Sequence, residues 1–388
     1  MPVESNRASV LVVAGEASAD RYAARVVERL KEAAGSRSLR FVGTGGERMR
    51  AAGIELLADI RDLANIGPHE ALAHLRKYIA TYRALGREIE GRRPVVALLL
   101  DFPEFNLRLA KRLKRAGVPV VCYISPQLWA WRRYRVRRVR TCVDRMLVIL
   151  PFEVDFYRRH GVAADFVGHP LLEDFRPTYD RQRFLGALGL DPARTTVALL
   201  PGSRRGEVDH ILPVLLGASV EMLAARPAQF LVSVAPTIDP EYVRRIVSRF
   251  PESARPHLHV LTADSRDILA NSDFAMVKSG TSTLEAALVG TPFLTTYRIS
   301  PVSWYIGRIL VRSRYKGLVN LIADESIVPE LMQGEATPES LARTTLGLLE
   351  NPEKLALMRE QMGRIKQKLS RRCASETVAA VIGGYIGG

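Results

Sequence analysis

"ASVLVVAGEASADRYAARVVERL", residues 8–30, is the stretch that decides the fold class. An apolar run predicts a strand, a short polar loop follows it, and the remainder predicts a helix. The same order recurs in "LRFVGTGGERMRAAG" (39–53) and "PVVALLLDFPEFNLRLAKRLKRAG" (94–117), and a strand follows in "VPVVCYISPQ" (118–127). Because the apolar runs are continuous instead of alternating, we expect parallel strands that are covered on both faces.

A polar, proline-containing stretch at residues 168–184 interrupts this pattern and predicts a linker. The alternation then resumes in five apolar segments: "TTVALLPGSRRGEVDHILPVLL" (195–216), "QFLVSVAP" (229–236), "LHVLTA" (258–263), "DFAMVKSG" (273–280) and "TPFLTTY" (291–297). We therefore expect an α/β protein with two doubly wound sheets in tandem. Ligands are expected at the carboxyl ends of the strands and in a cleft between the domains. The predicted domains are residues 1–170 and 171–355, with helices at 356–388.

The composition narrows the function classes. The 388 residues suggest two domains, and three scattered cysteines argue against a disulfide framework or a zinc site and favour a reducing compartment. The N-terminus lacks the apolar core of a signal peptide, and no apolar run approaches the ~18 residues that span a bilayer. A cytoplasmic protein is expected.

The net charge of +15 favours a polyanionic partner: nucleic acid, nucleotide phosphates or an anionic membrane face. Seven arginines lie within "WRRYRVRRVRTCVDR", residues 131–145. They form either a solvated helix face or an interface. Trp129 and Trp131 favour an interface, because amphipathic aromatic residues beside cations suit a lipid headgroup region. The same residues would also suit RNA.

"VKSGTSTLEAALVGTP", residues 277–292, predicts a strand, a tight turn and a helix. Gly280 permits the turn, and a hydroxyl of Thr281, Ser282 or Thr283 is expected to cap the helix. A helix start suits a phosphate, since it offers free N–H groups and the positive end of the helix dipole. Glu285 is expected either to bind a ribose diol beside that phosphate or to be the acid of a capping box.

A second loop of this kind is "LLPGSRRGEV", residues 199–208, where Ser203 is the expected cap and Arg204 stands at the helix start. Free N–H groups beside a guanidinium suit a diphosphate, and an exposed turn with an ion pair to Glu207 is the alternative. The loop in "AGEASAD" (14–20) is a weaker signal. The chain has no Walker motif and no GxGxxG with a suitable acid downstream, which disfavours a P-loop ATPase or a dehydrogenase.

Asp101 ends the buried run of "LLLDFPEFN" (98–106). An acid at the end of a buried strand is a candidate general base with a raised pKa, and capping of the next helix is the competing interpretation. Glu104 on the same loop is the second candidate. His169, at the predicted domain junction, is expected to be a positioning residue.

Seven motifs occur in the order found in lipid-A-disaccharide synthases: "AGEASAD", "LLLDFPEFN", "YISPQLWAWR", "VGHPL", "LLPGSRRGEV", "SGTSTLEAALVGTP" and "LVNLIADESIVPELMQGEATPE". The resemblance extends from about residue 9 to residue 380. It implies a GT-B fold of two Rossmann-like domains and an inverting transferase that needs no metal or other cofactor. Such an enzyme moves 2,3-diacylglucosamine from UDP onto 2,3-diacylglucosamine 1-phosphate and releases UDP, at the inner face of the inner membrane of Gram-negative bacteria.

The resemblance also assigns residues. Asp101 matches the proposed base of the family, and the predicted UDP-sugar-binding residues are Ser203, Arg204, Ser279, Gly280, Thr281, Ser282, Thr283, Glu285 and Asn320. The predicted acceptor-side or structural residues are Glu16, Ser18, Asp20, Asn106 and His169. The implied partners are the two glycolipid substrates and an anionic membrane surface, without nucleic acid. The resemblance is also compatible with a last helix that packs on the first domain, and with a homodimer that exchanges C-terminal parts.

The sequence departs from the family pattern at a few positions. Ala17 and Ala19 replace Thr and Gly of the usual "GETSGD", and Lys278 replaces a small residue. Pro68 and His69 interrupt the segment 63–79, which is more apolar in the family and thought to touch lipid. Another acceptor, another UDP-sugar transferase or epimerase, and a basic membrane- or RNA-binding module are therefore the alternatives. Asp101, Arg204 and Glu285, at three separate strand ends, favour an enzyme.

Overall fold

The computed structural model describes residues 8–35, 38–61, 71–298, 314–370 and 372–387. The chain forms two compact units, Met1–Asp174 with Leu369–Gly388, and Phe175–Lys368. Each unit contains one parallel sheet with helices. The predicted α/β class is confirmed.

Within the described residues, the first unit has seven parallel strands in the order β3-β2-β1-β4-β5-β6-β7. Their bounds are β1 Ser9–Ala14, β2 Arg40–Gly45, β3 Glu55–Asp59, β4 Val96–Leu100, β5 Val120–Tyr123, β6 Arg145–Val148 and β7 Ala164–Phe166. Alternate residues of β1 enter two different cores, Val10 and Val12 on one face and Leu11 and Val13 on the other. The sheet is therefore covered on both faces, which explains the continuous apolar runs.

The helices of the first unit are α1 Ala17–Ala34, α2 Glu47–Ala51, α3 Ala71–Arg92, α4 Pro103–Arg115, α5 Val136–Cys142 and α6 Pro151–Arg159. Short 3₁₀ helices lie at Arg133–Arg135 and Pro170–Leu172.

The part of the second unit that the structure describes has six parallel strands in the order β10-β9-β8-β11-β12-β13. They are β8 Thr196–Leu200, β9 Gln229–Ser233, β10 Leu258–Leu261, β11 Phe274–Lys278, β12 Phe293–Tyr297 and β13 Glu330–Met332. Its helices are α7 Arg181–Ala187, α8 Arg205–Ala225, α9 Pro240–Val247, α10 Ser265–Ala270, α11 Thr281–Val289, α12 Leu318–Ala323, α13 Pro338–Leu349 and α14 Pro352–Leu369, with 3₁₀ helices at Arg255–His257 and Gln333–Glu335.

The last helix, α15 Ala374–Gly387, returns to the first unit and packs against α1. Val378 and Ile382 are fully buried in the same core as Val27 of α1. The returning chain passes close to Gly168, whose φ is +95° and whose position would put a Cβ 2.2 Å from the Arg372 carbonyl oxygen. Only glycine fits both the backbone angle and this close approach.

Among the described residues, one helix has the length and apolar composition of a membrane span, and it is α8. Its residues Val208, Leu212 and Leu215 are buried in the core of the second unit. A core helix passes the same test of length and composition, so we assign α8 to the core.

Candidate active site

The two sheets place the predicted loops at equivalent positions. Strand order reverses between β1 and β4 in the first sheet and between β8 and β11 in the second. At such a reversal the adjacent crossovers leave in opposite directions, and a crevice opens at the carboxyl ends of the two strands. Ala14 pairs with Leu100 in the first sheet, and Leu200 pairs with Val277 in the second. The loops that follow these residues are the ones singled out by the sequence.

Asp101 lies in a strained loop at the first reversal. Asp101 and Phe102 both have positive φ, +46° and +55°, in the left-handed region that non-glycine residues rarely adopt. The buried Asn106 amide donates to the carbonyls of Leu100 (3.1 Å) and Asp101. A Cβ at Gly15 would lie 2.4 Å from the Phe102 Cβ, so glycine is required there. Asn106 and Gly15 thus hold one unusual backbone conformation, as is common at functional sites.

The Asp101 carboxyl is half-buried, and burial raises its pKa above the ordinary value. Its Oδ1 accepts a hydrogen bond from the N–H of Phe102 (2.9 Å), which acts in the opposite direction. Phe102 is the N-cap residue of α4 and gives it no side-chain cap. Asp101 therefore bonds its own neighbour instead of the first turn of the helix, which leaves the general-base interpretation as the stronger one.

Glu104, the second candidate base, is exposed and committed to cations. Its Oε1 pairs with Arg132 Nη1 at 2.9 Å and also with Arg135. These ion pairs connect the start of α4 to the arginine-rich segment. They favour a structural role for Glu104 over that of a general base.

The "AGEASAD" loop follows β1. Glu16 occupies the N-cap position of α1, and Ser18 is exposed in the first turn. Asp20 is buried and accepts hydrogen bonds from the N–H groups of Gly46 (2.6 Å), Arg48 (3.1 Å) and Met49 (3.1 Å). Asp20 thus fixes the start of α2 on α1, which gives it a structural part.

His169 is buried after β7, and burial lowers its pKa to about 4. Its neutral ring accepts, through Nδ1, a hydrogen bond from the N–H of Leu171 (3.2 Å). The backbone N–H of His169 donates to the carbonyl of Leu369 (3.3 Å), where the chain returns to the first unit. Both contacts are those of a positioning residue.

In the second unit, Arg204 is the N-cap residue of α8 and gives it no side-chain cap. The prediction that Ser203 caps this helix was wrong, because the helix begins one residue later. Instead, the Ser203 N–H donates to Glu207 Oε2 (3.1 Å), and Arg204 Nη1 lies 3.6 Å from Glu207 Oε1. The Arg204 side chain is 79% exposed, so its guanidinium remains accessible to a ligand.

The loop after β11 places Gly280 at the N-cap position of α11. The predicted side-chain cap from Thr281, Ser282 or Thr283 was wrong, since these residues occupy the first three helical positions. Thr283 Oγ1 donates to the Gly280 carbonyl (2.6 Å), and Ser279 Oγ donates to the Lys316 carbonyl (3.1 Å). Within the described residues, neither α8 nor α11 thus receives a hydrogen bond from the side chain of its N-cap residue. The N–H groups at these helix starts suit an anionic ligand.

Glu285 is the fifth residue of α11, and a capping box requires the third. The capping-box alternative was therefore wrong. Glu285 is half-buried, and its Oε2 accepts a hydrogen bond from Ser265 Oγ of α10 (3.0 Å). This contact orients the carboxylate, and its binding to a ribose diol stays a prediction.

Asn320 is fully buried and its amide is saturated by nearby groups. Its Nδ2 donates to the Val328 carbonyl (2.8 Å) and to Glu330 Oε1 (2.9 Å), and its Oδ1 accepts from the N–H groups of Ile327 (2.8 Å) and Val328 (2.9 Å). Glu330 also accepts from the N–H groups of Lys316 and Gly317. Asn320 thus holds the 317–330 segment together in this structure, and its contact with a UDP-sugar stays a prediction.

Sequence reasoning missed Glu153, which is buried near the end of β6. Its carboxylate accepts from Ser125 Oγ, from Trp129 Nε1 (3.1 Å) and from the Leu150 N–H (3.2 Å). Burial raises the pKa of Glu153 to about 7. An acid three residues after Leu150, at a helix start with proline, is the sequence signal that could have found it.

The aromatic residues at the arginine-rich segment differ in exposure. Trp129 is half-buried and its Nε1 donates to Glu153, so it is less available to the predicted interface than Trp131. Trp131 and Tyr134 are 41% and 69% exposed, and the Arg132 guanidinium lies 4.2 Å from the Trp131 ring centroid. Arg138 of this segment lines a groove of about 680 Å³. The other described lining residues are Tyr78, Ile79, Tyr82, Arg83, Leu107, Arg108, Lys111 and Arg112.

The buried Glu153 predicts a pH-dependent stability. Its pKa rises from 4.5 in the unfolded chain to about 7 in the folded chain. Between these two pH values, the folded chain therefore keeps a proton on Glu153 that the unfolded chain releases. The Glu153 contribution to the free energy of unfolding should therefore fall as pH rises from about 4.5 to about 7, by on the order of 3 kcal/mol, and then level off. The lowered pKa of His169 contributes in the opposite direction between about pH 4 and 6.5, so the Glu153 contribution is read as a difference between wild type and a Glu153 variant. In urea unfolding, wild type should lose up to about 3 kcal/mol relative to Glu153→Gln between pH 5 and pH 7.5. The exposed-site control Glu104→Gln should keep the same pH dependence as wild type. An equal slope in Glu153→Gln and wild type would contradict the assignment.

Known proteins resemble the chain over nearly its whole length. A family model described as lipid-A-disaccharide synthetase matches residues 10–382. The lipid-A-disaccharide synthase of Koribacter versatilis (strain Ellin345) is 42% identical over 370 residues, which cover 95% of each chain. That of Syntrophus aciditrophicus (strain SB) is 41% identical over 378 residues and covers 97% of each chain.

Two solved structures share the fold. UDP-GlcNAc 2-epimerase from Neisseria meningitidis, solved with UDP-GlcNAc bound, has a TM-score of 0.64 at 14% identity and covers 96% of this chain and 99% of its own. MurG of Acinetobacter baumannii has a TM-score of 0.59 at 12% identity, with 97% and 99% covered. These likenesses identify a GT-B fold. Together with the family match, they show that the chain belongs to the lipid-A-disaccharide synthase family, the glycosyltransferases of lipid A biosynthesis.

Proposed function

We propose that this enzyme transfers 2,3-diacylglucosamine from UDP to 2,3-diacylglucosamine 1-phosphate, with inversion, to give a β-1,6-linked disaccharide 1-phosphate and UDP. The observation that carries the proposal is the different chemistry of the two strand-order reversals. The first presents a half-buried carboxyl on the strained backbone of Asp101, and the second presents the accessible Arg204 guanidinium beside two helix starts without N-cap side-chain bonds. A proton acceptor and a diphosphate stabiliser are the two functions that this transfer requires.

The acceptor hydroxyl must lose a proton as its oxygen attacks the anomeric carbon of the donor. Asp101 accepts that proton, and its raised pKa makes it a better acceptor than an exposed aspartate. The bond to the UDP oxygen breaks in the same displacement, so the configuration at the anomeric carbon inverts. Negative charge then grows on the diphosphate, where Arg204 and the N–H groups at the starts of α8 and α11 stabilise it.

Asp101→Asn should lower turnover by roughly two or more decades, the scale of general-base loss, with UDP affinity nearly unchanged. Asparagine tolerates positive φ at least as well as aspartate, so the loop should keep its conformation. Steady-state kinetics with both glycolipid substrates measures this effect. Glu104→Gln is the matched control on the same loop and should retain turnover. Full turnover in Asp101→Asn, or loss only in Glu104→Gln, would move the base elsewhere.

Arg204→Ala and Glu285→Ala should each weaken UDP binding by ~1.5–3 kcal/mol, the value of a hydrogen bond to a charged group. Isothermal titration calorimetry with UDP tests this. Exposed residues of the same unit, changed as Arg244→Ala and Glu252→Ala, serve as controls and should bind UDP like wild type. If Arg204→Ala and Glu285→Ala also bind like wild type, the nucleotide binds elsewhere.

We further propose that the enzyme is cytoplasmic and attaches to the anionic inner face of the inner membrane, because both substrates carry acyl chains that remain there. The exposed Trp131 and Tyr134, the exposed arginines of α5 and the cation-lined groove support this surface. Residues 63–70 of the segment 63–79, with Pro68 and His69, lie outside the described residues.

Binding to anionic vesicles should fall steeply as salt rises, and neutral vesicles should bind weakly. Replacing Arg133, Arg137 and Arg138 by Gln should weaken binding by up to about two decades at low salt, at about 1 kcal/mol per cation. The matched control replaces Arg244, Arg245 and Arg249 of the second unit and makes the same change in charge. Co-sedimentation at low and high salt measures both variants. Undiminished binding by the first variant would move the contact to the 63–79 segment, and absence of wild-type binding would contradict membrane attachment.

A further inference from the structure

Lys278 is the last residue of β11, and its side chain is 17% exposed. Its Nζ lies 2.9 Å from Glu207 Oε1 and 5.5 Å from the Tyr297 ring centroid. A Cβ on Gly280 would lie 3.1 Å from this Nζ. The ammonium group therefore lies directly beside the start of α11, at the strand-order reversal of the second sheet.

Glu207 connects this lysine to the other loop of the reversal. One carboxylate oxygen accepts from the Ser203 N–H, and the other pairs with Lys278 and lies 3.6 Å from Arg204. Burial raises the pKa of Glu207, but the hydrogen bond and charge of Lys278, the Ser203 N–H and the charge of Arg204 together outweigh burial, so the net pKa is lowered and the carboxylate is ionised. Gly202 makes this approach feasible, because a Cβ there would lie 2.5 Å from Glu207 Oε2.

The charges in this cluster leave an excess for a ligand. Lys278 and Arg204 carry two positive charges, and Glu207 carries one negative charge, so the cluster has a net charge of +1 beside two helix starts. A lysine ammonium has three donors, and Glu207 engages one of them. A small, mobile point charge of this kind suits a phosphate oxygen that arrives between the loops.

We propose that Lys278 binds the diphosphate of the nucleotide directly and makes this site selective for a nucleoside diphosphate over a monophosphate or a nucleoside. This inference rests on the proposed UDP-binding function of the same loops. It assigns a ligand contact to a position where the sequence departs from the family pattern.

The test is calorimetry of Lys278→Met with UDP, UMP and uridine at fixed ionic strength. Loss of a charged hydrogen bond should lower UDP affinity by between about 10-fold and 100-fold. UMP affinity should fall less, and uridine affinity should not change. Lys278→Arg should retain most of the UDP affinity, and the exposed control Lys354→Met should bind all three ligands like wild type. Equal losses for UDP and uridine would overturn the proposal, since they would indicate a structural effect.

A double variant separates direct binding from simple neutralisation of Glu207. Lys278→Met with Glu207→Gln removes both charges, so it leaves no unpaired buried charge to destabilise the fold. Direct binding predicts that this variant still binds UDP weakly. Restoration of wild-type UDP affinity would overturn the proposal, because Lys278 would then act only by screening Glu207.

The outcomes also separate this inference from the proposed function. If wild type fails to bind UDP, the proposed function and this inference fail together. If Arg204→Ala and Glu285→Ala lose UDP affinity while Lys278→Met keeps it, the loops bind the nucleotide and only the role of Lys278 is overturned.

Discussion

The crossover connections on either side of β1 and β4 leave in opposite directions, and those on either side of β8 and β11 do the same. This geometric constraint keeps the carboxyl ends of four central strands uncovered by their own connections. The loops that follow those strands are therefore the places where a backbone N–H group or a polar side chain can face a ligand. Asp101, Arg204 and Gly280 all lie in such loops, and the proposed chemistry depends on that placement.

The loop after β4 shows how the fold maintains an unfavourable conformation. Two successive non-glycine residues with positive φ cost about 1–3 kcal/mol each, so the surrounding structure must compensate. Asn106 does so with two hydrogen bonds to the backbone, and Gly15 does so by the absence of a side chain. Asn106 and Gly15 are thus explained by the placement of one carboxyl group.

The long buried strands were predictable, because their continuous apolar runs leave little alternative. The strands β3, β6, β7 and β13 were not predicted. Residues of β3, β7 and β13 are mostly half-buried or exposed, so these segments give a weak apolar signal. Prediction of the α/β class and of the loops that carry the site was possible from strand–loop–helix order.

Details within those loops were less predictable. The predicted caps were wrong because the helix starts are shifted: Ser203 lies one residue before the N-cap position of α8, and residues 281–283 lie inside α11. Glu153 and the contacts of Asn320 depend on hydrogen bonds between loops that no local pattern encodes. The most direct test of the central claim is mass spectrometry of the products formed from UDP-2,3-diacylglucosamine and 2,3-diacylglucosamine 1-phosphate. The account predicts a disaccharide 1-phosphate that carries all four acyl chains, together with equimolar UDP. Release of UDP without that disaccharide, or recovery of both substrates unchanged, would contradict it.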